Sequence, residues 1–187
     1  MKRALAFSFV FVFLMSSFSL AMEISGVNFD ESLQVGSEKL VLNGVGLRKK
    51  LMVKVYAAGL YLKEKNKDPL AIMEKDEPMA MVLKFIHSEV PPDKLIEAWK
   101  EGFENSTKGD TSKIQNEISQ FNQLFKEPAK KGDVYQFIYV PSSGVQVNIN
   151  GATKVTIPGL SFKKALFGIW LCDQPADKGL KEGILGN

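Results

Sequence analysis

Residues 40–62, LVLNGVGLRKKLMVKVYAAGLYL, contain two apolar runs separated by three consecutive basic residues. Their content of Val, Tyr and Leu predicts two long strands, residues 40–47 and 51–62, joined by a short basic turn. Glycine weakens a strand unless a backbone or a ligand must approach it closely. The three glycines inside these runs therefore predict a strongly bent sheet, or a surface that another group approaches.

The position of the turn matters for two polar residues of this stretch. With a turn at Lys49 and Lys50, Arg48 ends the first strand and Tyr56 lies several residues into the second. In that register Arg48 cannot directly face Tyr56. We expect either a long reach of the arginine along the sheet or a ligand group that bridges the two side chains.

Periodicity outward from this hairpin predicts further strands and helices. Apolar residues recur at helical spacing in two adjacent segments, the first with Leu95, Trp99 and Phe103 on one face and the second over residues 112–125. Further strands are predicted at residues 79–86, 133–140, 145–149 and 153–157, before two C-terminal helices. This order is typical of an α+β fold with a mainly antiparallel sheet and helices on one side.

The first residues have the pattern of a secretory signal. Lys2 and Arg3 precede an apolar run over residues 4–14, and Ser19-Leu20-Ala21 has the small residues of a cleavage site. A membrane anchor is the alternative, but serines interrupt the run too early for a spanning helix. We expect residues 1–21 to be a signal peptide and residues 22–187 to be one domain. The protein would then be periplasmic or secreted, without a stable membrane anchor after cleavage.

Charge and composition narrow the classes of partner and cofactor. The formal net charge of +3 includes Lys2 and Arg3, so the rest of the chain is nearly neutral and indicates neither nucleic acid nor an anionic membrane surface. Cys172 is the only cysteine, which excludes an internal disulfide, and its apolar neighbours favour a buried, inert thiol. His87 is the only histidine, which excludes a multi-histidine metal site. We expect no metal and no cofactor.

The glycine-containing hairpin resembles the signature of the chalcone isomerase-like superfamily. Residues 44–48 match its Gly-x-Gly-x-Arg turn, and residues 54–61 match a following strand that reads Lys-Val-Tyr-Ala-x-Gly-x-Tyr. Residues 162–171, FKKALFGIWL, resemble the ending of exported bacterial members, and the similarity runs from Phe29 to the C-terminus. The resemblance implies an open-faced β-sandwich of chalcone isomerase type, in which helices cover a large curved antiparallel sheet and a ligand cleft lies between them.

The superfamily contains plant enzymes that cyclise chalcones, plastid fatty-acid-binding proteins and noncatalytic relatives. Arg48 matches an arginine that both the enzymes and the fatty-acid binders place in the cleft. Tyr56 stands where the enzymes carry a catalytic threonine and the binders carry a tyrosine. The enzymes' tyrosine and asparagine correspond to Pro91 and to a position near Ala98. The resemblance therefore implies a binding protein with Arg48 and Tyr56 as ligand-binding residues and with no catalytic residues.

Each of these side chains also has a purely structural interpretation. Arg48 is either a solvated charge or a guanidinium that grips a carboxylate with two parallel hydrogen bonds. The hydroxyl of Tyr56 needs a partner if it is buried, and a ligand carboxylate is one candidate. Three further aromatic residues either belong to the core or line the cleft: Tyr61, Trp99 and Phe103.

From the sequence, three functions remain open. The first is binding of a fatty acid or a similar apolar carboxylate, with Arg48 and Tyr56 on the head group. The second is an isomerase or intramolecular lyase, in which Arg48 would stabilise an oxyanion. The third is a protein-interaction module of the envelope, in which Arg48 is structural. We expect the first, with a small apolar carboxylate as the partner and no enzymatic activity.

Overall fold

Strands β4 (Glu38–Lys50) and β5 (Val53–Leu62) form the predicted hairpin and belong to a large curved antiparallel sheet. The structure is a computed structural model that describes residues 22–187, so the predicted signal sequence lies outside the described residues. The other strands are β1 (Met22–Ile24), β2 (Val27–Phe29), β3 (Ser32–Val35), β6 (Met79–Phe85), β7 (Glu89–Val90), β8 (Ala129–Lys130), β9 (Val134–Val140), β10 (Gly144–Ile149) and β11 (Ala152–Ile157). The helices are α1 (Pro69–Glu74), α2 (Pro92–Ser106), α3 (Gln115–Asn122), α4 (Leu160–Leu171) and α5 (Lys178–Ile184), with a 3₁₀ turn at Ser112–Ile114 before α3.

The curved sheet has seven strands in the order β11-β10-β9-β6-β5-β4-β3, and all neighbouring pairs are antiparallel. All five helices contribute side chains to one buried cluster, the helix-side core, on one face of this sheet. These observations confirm the predicted α+β fold, with helices covering a curved antiparallel sheet. Within residues 22–187, no helix is both long enough and apolar enough to cross a membrane.

The two faces of the sheet bury different sets of side chains. The predicted apolar faces of the two adjacent helices are buried in the helix-side core, as expected from their spacing. On the other face a smaller cluster, the opposite-side core, is built around Phe29, Leu40 and Tyr61. Because successive side chains of a strand point to opposite faces, β5 supplies both cores.

The glycines of the hairpin are sites of close approach by other parts of the chain. A Cβ on Gly46 would lie 2.3 Å from the carbonyl oxygen of Leu180, and a Cβ on Gly44 would lie 2.3 Å from that of Gly183. Helix α5 therefore packs against the bare backbone of β4. A Cβ on Gly59 would lie 2.7 Å from the Phe29 ring on the opposite side. The group predicted to approach this surface is thus the protein's own C-terminal helix, together with an N-terminal aromatic ring.

The predicted turn at Lys49 and Lys50 is wrong, because both lysines continue β4. The turn consists of Leu51 and Met52, whose φ angles are +48° and +70°. A two-residue turn with both φ angles positive matches the twist of an antiparallel hairpin. Exposed lysines can extend the strands beyond the core because their charged ends stay in water.

Candidate functional site

Arg48 and Tyr56 are direct cross-strand partners in the β4–β5 hairpin. The pairing register shifts between Arg48 and Lys49, so that one extra residue, Val55, is accommodated in β5 as a bulge. Directly opposed residues of an antiparallel pair project to the same face of the sheet. The expectation that these two side chains cannot face one another is therefore wrong. The turn lies two residues further along the chain than predicted, which alone would pair Arg48 with Val55, and the bulge moves the pairing to Tyr56.

Arg48 is held from the C-terminal part of the chain. One of its guanidinium nitrogens donates to the carbonyl of Ala176 at 2.5 Å. The adjacent Asp177 carboxylate accepts from the backbone N–H groups of Lys49 and Leu180, each at 2.9 Å, which fastens the start of α5 to the end of β4. A guanidinium has further N–H donors in the same plane, and within residues 22–187 Arg48 makes no salt bridge. These donors are suited to a planar anion such as a carboxylate.

Tyr56 is buried, and its hydroxyl accepts a hydrogen bond from the indole N–H of Trp170 at 2.9 Å. Its own proton has no acceptor among the hydrogen bonds of the described chain. Burial raises the pKa of Tyr56, and this outweighs the lowering effect of the Arg48 charge and of the Trp170 hydrogen bond. The hydroxyl is therefore neutral at physiological pH and can donate to a ligand oxygen beside Arg48.

The two side chains line one cavity of about 380 Å³ between the hairpin, α2 and α4. Its buried base is apolar, whereas its exposed lining residues include several charges. The apolar members are Val53, Val55, Val90, Pro91, Leu95, Ala98, Trp99, Ile169 and Ala176. The polar members are Arg48, Lys50, Tyr56, His87, Glu89 and Lys94. An apolar base with a few convergent polar groups is typical of a small-molecule site.

The charges around this cavity favour an anionic head group. Arg48, Lys50 and Lys94 supply positive charge, and Glu89 is the one carboxylate in the lining. Lys94 is paired outside the cavity with Glu97, at 2.8 Å. The excess positive charge therefore comes mainly from the hairpin.

The interior behind the cavity is filled by aromatic rings. The Trp99 ring lies 5.6–6.1 Å, centroid to centroid, from four other rings of the helix-side core, those of Phe121, Phe125, Phe137 and Trp170. Its indole N–H is buried and has no acceptor among the described residues. An apolar ligand tail that enters beside Arg48 would therefore end against Trp99.

Of the three aromatic residues predicted as possible cleft lining, only Trp99 lines the cavity. The prediction for Tyr61 is wrong: it lies in the opposite-side core, and its hydroxyl donates to the Asp30 carbonyl at 3.0 Å. Tyr61 is five residues from Tyr56, and an odd spacing within a strand places residues on opposite faces. Phe103 belongs to the helix-side core but packs on Phe121 and Phe162 away from the cavity. It lies one helical turn beyond Trp99 on α2.

Several residues of the site were not predicted. Trp170 and Ala176 are 114 and 128 residues from their hydrogen-bond partners Tyr56 and Arg48, and no local pattern reveals such pairs. His87 also lies in the cavity wall, and no motif in the sequence indicates this position. Residues 22–187 contain no cluster of His, Cys, Asp and Glu arranged to hold a metal ion. Cys172 is buried as predicted, and burial raises the pKa of its thiol.

A second, larger cavity of about 790 Å³ lies between α1, the end of α2 and α4. It contains neither Arg48 nor Tyr56, and its lining includes Glu74, Glu104 and Asp173. We place the candidate site at the smaller cavity because it is lined by the Arg48 guanidinium, which makes no salt bridge within residues 22–187, and by the buried hydroxyl of Tyr56, whereas Lys164 of the larger cavity is paired with Glu74.

Comparisons with known proteins bear on both the sequence and the fold. The sequence matches the family model described as chalcone isomerase-like over residues 21–186. The crystal structure of a fatty-acid binding protein from Arabidopsis thaliana superposes with a TM-score of 0.74 and 21% sequence identity. The match covers 90% of this chain and 97% of the Arabidopsis chain, and at this identity it demonstrates a shared fold. No curated protein sequence matches the chain significantly.

Proposed function

We propose, from the premise that this chain belongs to the chalcone isomerase-like family, that it binds an apolar carboxylate without transforming it. The head group lies between Arg48 and Tyr56, and the tail lies on the apolar wall that ends at Trp99. The observation that carries the proposal is the direct cross-strand pairing of Arg48 with Tyr56 on the wall of one cavity. The fatty-acid ligand of the structurally similar Arabidopsis protein agrees with this class of molecule.

The head group and the tail of the ligand contribute differently to binding. A charged hydrogen bond from Arg48 contributes about 1.5–3 kcal/mol and distinguishes an acid from its alcohol. The neutral hydroxyl of Tyr56 adds a second donor to the same carboxylate. Each methylene buried against the apolar wall contributes about 0.8 kcal/mol. The tail therefore supplies most of the affinity, whereas the hairpin selects the head group.

The size of the cavity favours a compact ligand. Its volume of about 380 Å³ lies towards the lower end of the range of small-molecule sites, about 300–1,000 Å³. Aromatic rings close the interior beyond Trp99. We therefore expect affinity to rise with tail length and then to level off once the tail reaches this wall.

The same cavity argues against a cyclase. Pro91 and Ala98 both line it, at the positions that correspond by resemblance to the tyrosine and the asparagine of the enzymes. Neither side chain can transfer a proton or hold an oxyanion. We therefore assign Arg48 and Tyr56 to binding, because the two positions that would complete the site of the enzymes carry no polar side chain.

A ligand series tests the proposal. Purified protein is titrated calorimetrically with saturated carboxylic acids of increasing length and with the matching alcohols, and native mass spectrometry checks for one ligand per chain. Wild type should prefer the acid by about 1.5–3 kcal/mol. Arg48→Gln removes the charge but keeps a neutral amide of similar polarity, and it should lose only this preference. Absence of binding at every chain length, or equal loss for acid and alcohol, would refute the proposal.

The location remains part of the proposal. We propose that the chain is exported and that the mature protein begins at Met22, on the basis of the basic and apolar pattern of residues 1–21. The N-terminus of protein recovered from the envelope fraction of expressing cells should be Met22. Recovery of the chain with Met1 intact would contradict this.

A further inference from the structure

The tip of the β4–β5 hairpin carries exposed apolar side chains with lysines on either side. Leu51 and Met52 are 92% and 90% exposed, the two highest values among the exposed large apolar residues of the described chain. They follow Lys49 and Lys50 and precede Val53 and Lys54, and all of residues 49–54 are exposed. This segment, residues 49–54, is here called the hairpin tip.

The choice of residues at the tip is unfavourable for the isolated protein. The φ angles of Leu51 and Met52, +48° and +70°, are in the left-handed region, where Asn and Gly are preferred at this kind of turn. Two large side chains are thus held in a backbone conformation that L residues rarely adopt, with their apolar surface in water. An Asn-Gly pair would form the same turn with less strain and without exposed apolar surface.

The charges of the tip add a second unfavourable term. Lys49 and Lys54 are direct cross-strand partners, and like charges in that position repel. Carboxylates lie nearby: Asp177 accepts from the Lys49 backbone N–H, and Glu97 interacts with the charge of Lys50 and is paired with Lys94. No salt bridge within residues 22–187 joins any lysine of the tip to a carboxylate. The tip therefore keeps a local excess of positive charge that the nearly neutral chain as a whole conceals.

A partner that covers the exposed apolar side chains and also neutralises the lysine charges must combine negative charge with an apolar layer. We propose that the hairpin tip docks on an anionic lipid bilayer, with Leu51 and Met52 inserted among the acyl chains and the lysines on the headgroups. An interfacial anchor of this kind needs only apolar side chains surrounded by basic ones. A protein partner fits less well, because stable interfaces bury about 800 Å² on each side and are depleted in lysine at their cores.

Docking would bring the mouth of the cavity to the lipid surface. Lys50 and Val53 belong to the tip and also line the cavity that contains Arg48 and Tyr56. A carboxylate in the bilayer could then enter without crossing water, a consequence that rests on the proposed function. Docking itself does not depend on a ligand and is tested on ligand-free protein.

The test is vesicle flotation of protein recovered from cells that express the full-length sequence, with its N-terminus determined by mass spectrometry. Vesicles contain either phosphatidylcholine alone or equal parts of phosphatidylglycerol and phosphatidylcholine. Wild type should float with the anionic vesicles and be released by high salt. The double variant Leu51→Asn/Met52→Gly should bind at least about tenfold more weakly, because it removes two apolar side chains of the size that membranes bury. Wild type and variants carry the same N-terminus, so any contribution of the N-terminus to vesicle binding is the same in all of them. The difference in binding between wild type and a variant is therefore due to the hairpin tip.

Two controls separate docking from folding. The Asn-Gly variant should melt at the same or a higher temperature than wild type because it relaxes the turn. Leu70→Asn removes another exposed apolar residue, 62% exposed on α1, and should bind vesicles as wild type does. Lys49→Glu/Lys54→Glu replaces the paired cations and should abolish the preference for anionic vesicles.

Three results would overturn docking on lipid. They are absence of wild-type binding to the anionic vesicles, equal binding by the Asn-Gly variant, and crosslinking of the tip to a protein without vesicle binding. If the protein binds the carboxylate but does not bind vesicles, the proposed function stands and only docking on lipid is refuted. Conversely, if the protein binds vesicles but binds no carboxylate, docking would be supported and the proposed binding of an apolar carboxylate would be refuted.

Discussion

The indole N–H of Trp170 donates to the Tyr56 hydroxyl at 2.9 Å, so α4 fixes the side chain that β5 presents to the cavity. Both residues are buried, and neither group can turn to water if its partner is removed. This contact joins two elements that are far apart in sequence, and it leaves the Tyr56 proton available to a ligand. Its strength can be measured without any ligand.

Tyr56→Phe should lower the free energy of unfolding by about 1–3 kcal/mol because it leaves the Trp170 N–H buried without an acceptor. In a Trp170→Phe background the same change should cost much less, since the orphaned donor is absent. Urea unfolding of the four proteins measures this coupling. Tyr135→Phe is the control, because its hydroxyl makes no hydrogen bond within residues 22–187. A cost for Tyr56→Phe that is the same in both backgrounds would contradict the contact.

For ligand affinity, Arg48→Gln and Tyr56→Phe should be non-additive. Both groups act on one carboxylate, so loss of either loosens the head group that the other holds. The double variant should therefore lose less affinity for an acid than the sum of the single losses, while the alcohol series changes little. Calorimetric titration of the four proteins checks this. Additive losses would mean that the two side chains do not share a ligand group.

Gly46→Ala should destabilise the protein by about 1–3 kcal/mol or more because its Cβ meets backbone that cannot rotate away. The new methyl would lie 2.3 Å from the Leu180 carbonyl oxygen, so α5 must shift and Ala176 with it. Thermal and urea unfolding measure the loss. Gly179→Ala is the matched control within α5: its Cβ meets nothing closer than 3.4 Å, and alanine favours a helix, so stability should be unchanged or slightly higher.

Stability should rise with pH from about 8 because of Lys163, most clearly below pH 9, since above its ordinary pKa of 9.0 the Cys172 thiol, whose pKa burial raises, acts in the opposite direction. This side chain is 0% exposed, and its ammonium donates to the carbonyls of Ile72, Met73 and Lys75 at the end of α1. Burial lowers the pKa of Lys163 from 10.5 to about 8. Above pH 8 the folded state has released a proton that the unfolded state still binds, so unfolding becomes less favourable as the pH increases. The slope for one proton is at most about 1.4 kcal/mol per pH unit.

Above pH 10 the tyrosines act in the opposite direction. Burial raises the pKa of Tyr61, Tyr135 and Tyr139 to about 12, so the unfolded state loses their protons first and stability falls. Urea unfolding at a series of pH values should therefore show a rise followed by a fall. Lys163→Met should be less stable overall and should lack the rise. A rise that persists in Lys163→Met would assign it to another group.

The fold was predictable because its signals are local. The amphipathic face of Leu95, Trp99 and Phe103 and the glycine-containing hairpin each specify their element from neighbouring residues alone. The register of the hairpin was not predictable from the sequence. A run of exposed lysines is compatible with a turn and also with the end of a strand that extends beyond the core. The opposite faces of Tyr56 and Tyr61 follow from their odd spacing and could have been predicted.

The site was predicted only in part for a similar reason. Arg48 and Tyr56 carry a motif, whereas their partners Ala176 and Trp170 are specified by packing between distant segments. Lys163 shows the limit of composition-based expectation: a lysine is almost never fully buried unless it is paired. Here the unpaired carbonyls at the end of α1 supply its partners.

The sequence separation of 128 residues between Arg48 and Ala176 sets an order of assembly. Nearly the whole chain must be synthesised before α5 can settle on the glycines of β4 and complete the cavity wall. A chain that is still emerging, or one cut short before Ala176, contains all the strands but lacks the carbonyl that Arg48 donates to. The wall of the candidate site is therefore completed only when the last helix of the described chain has folded onto β4.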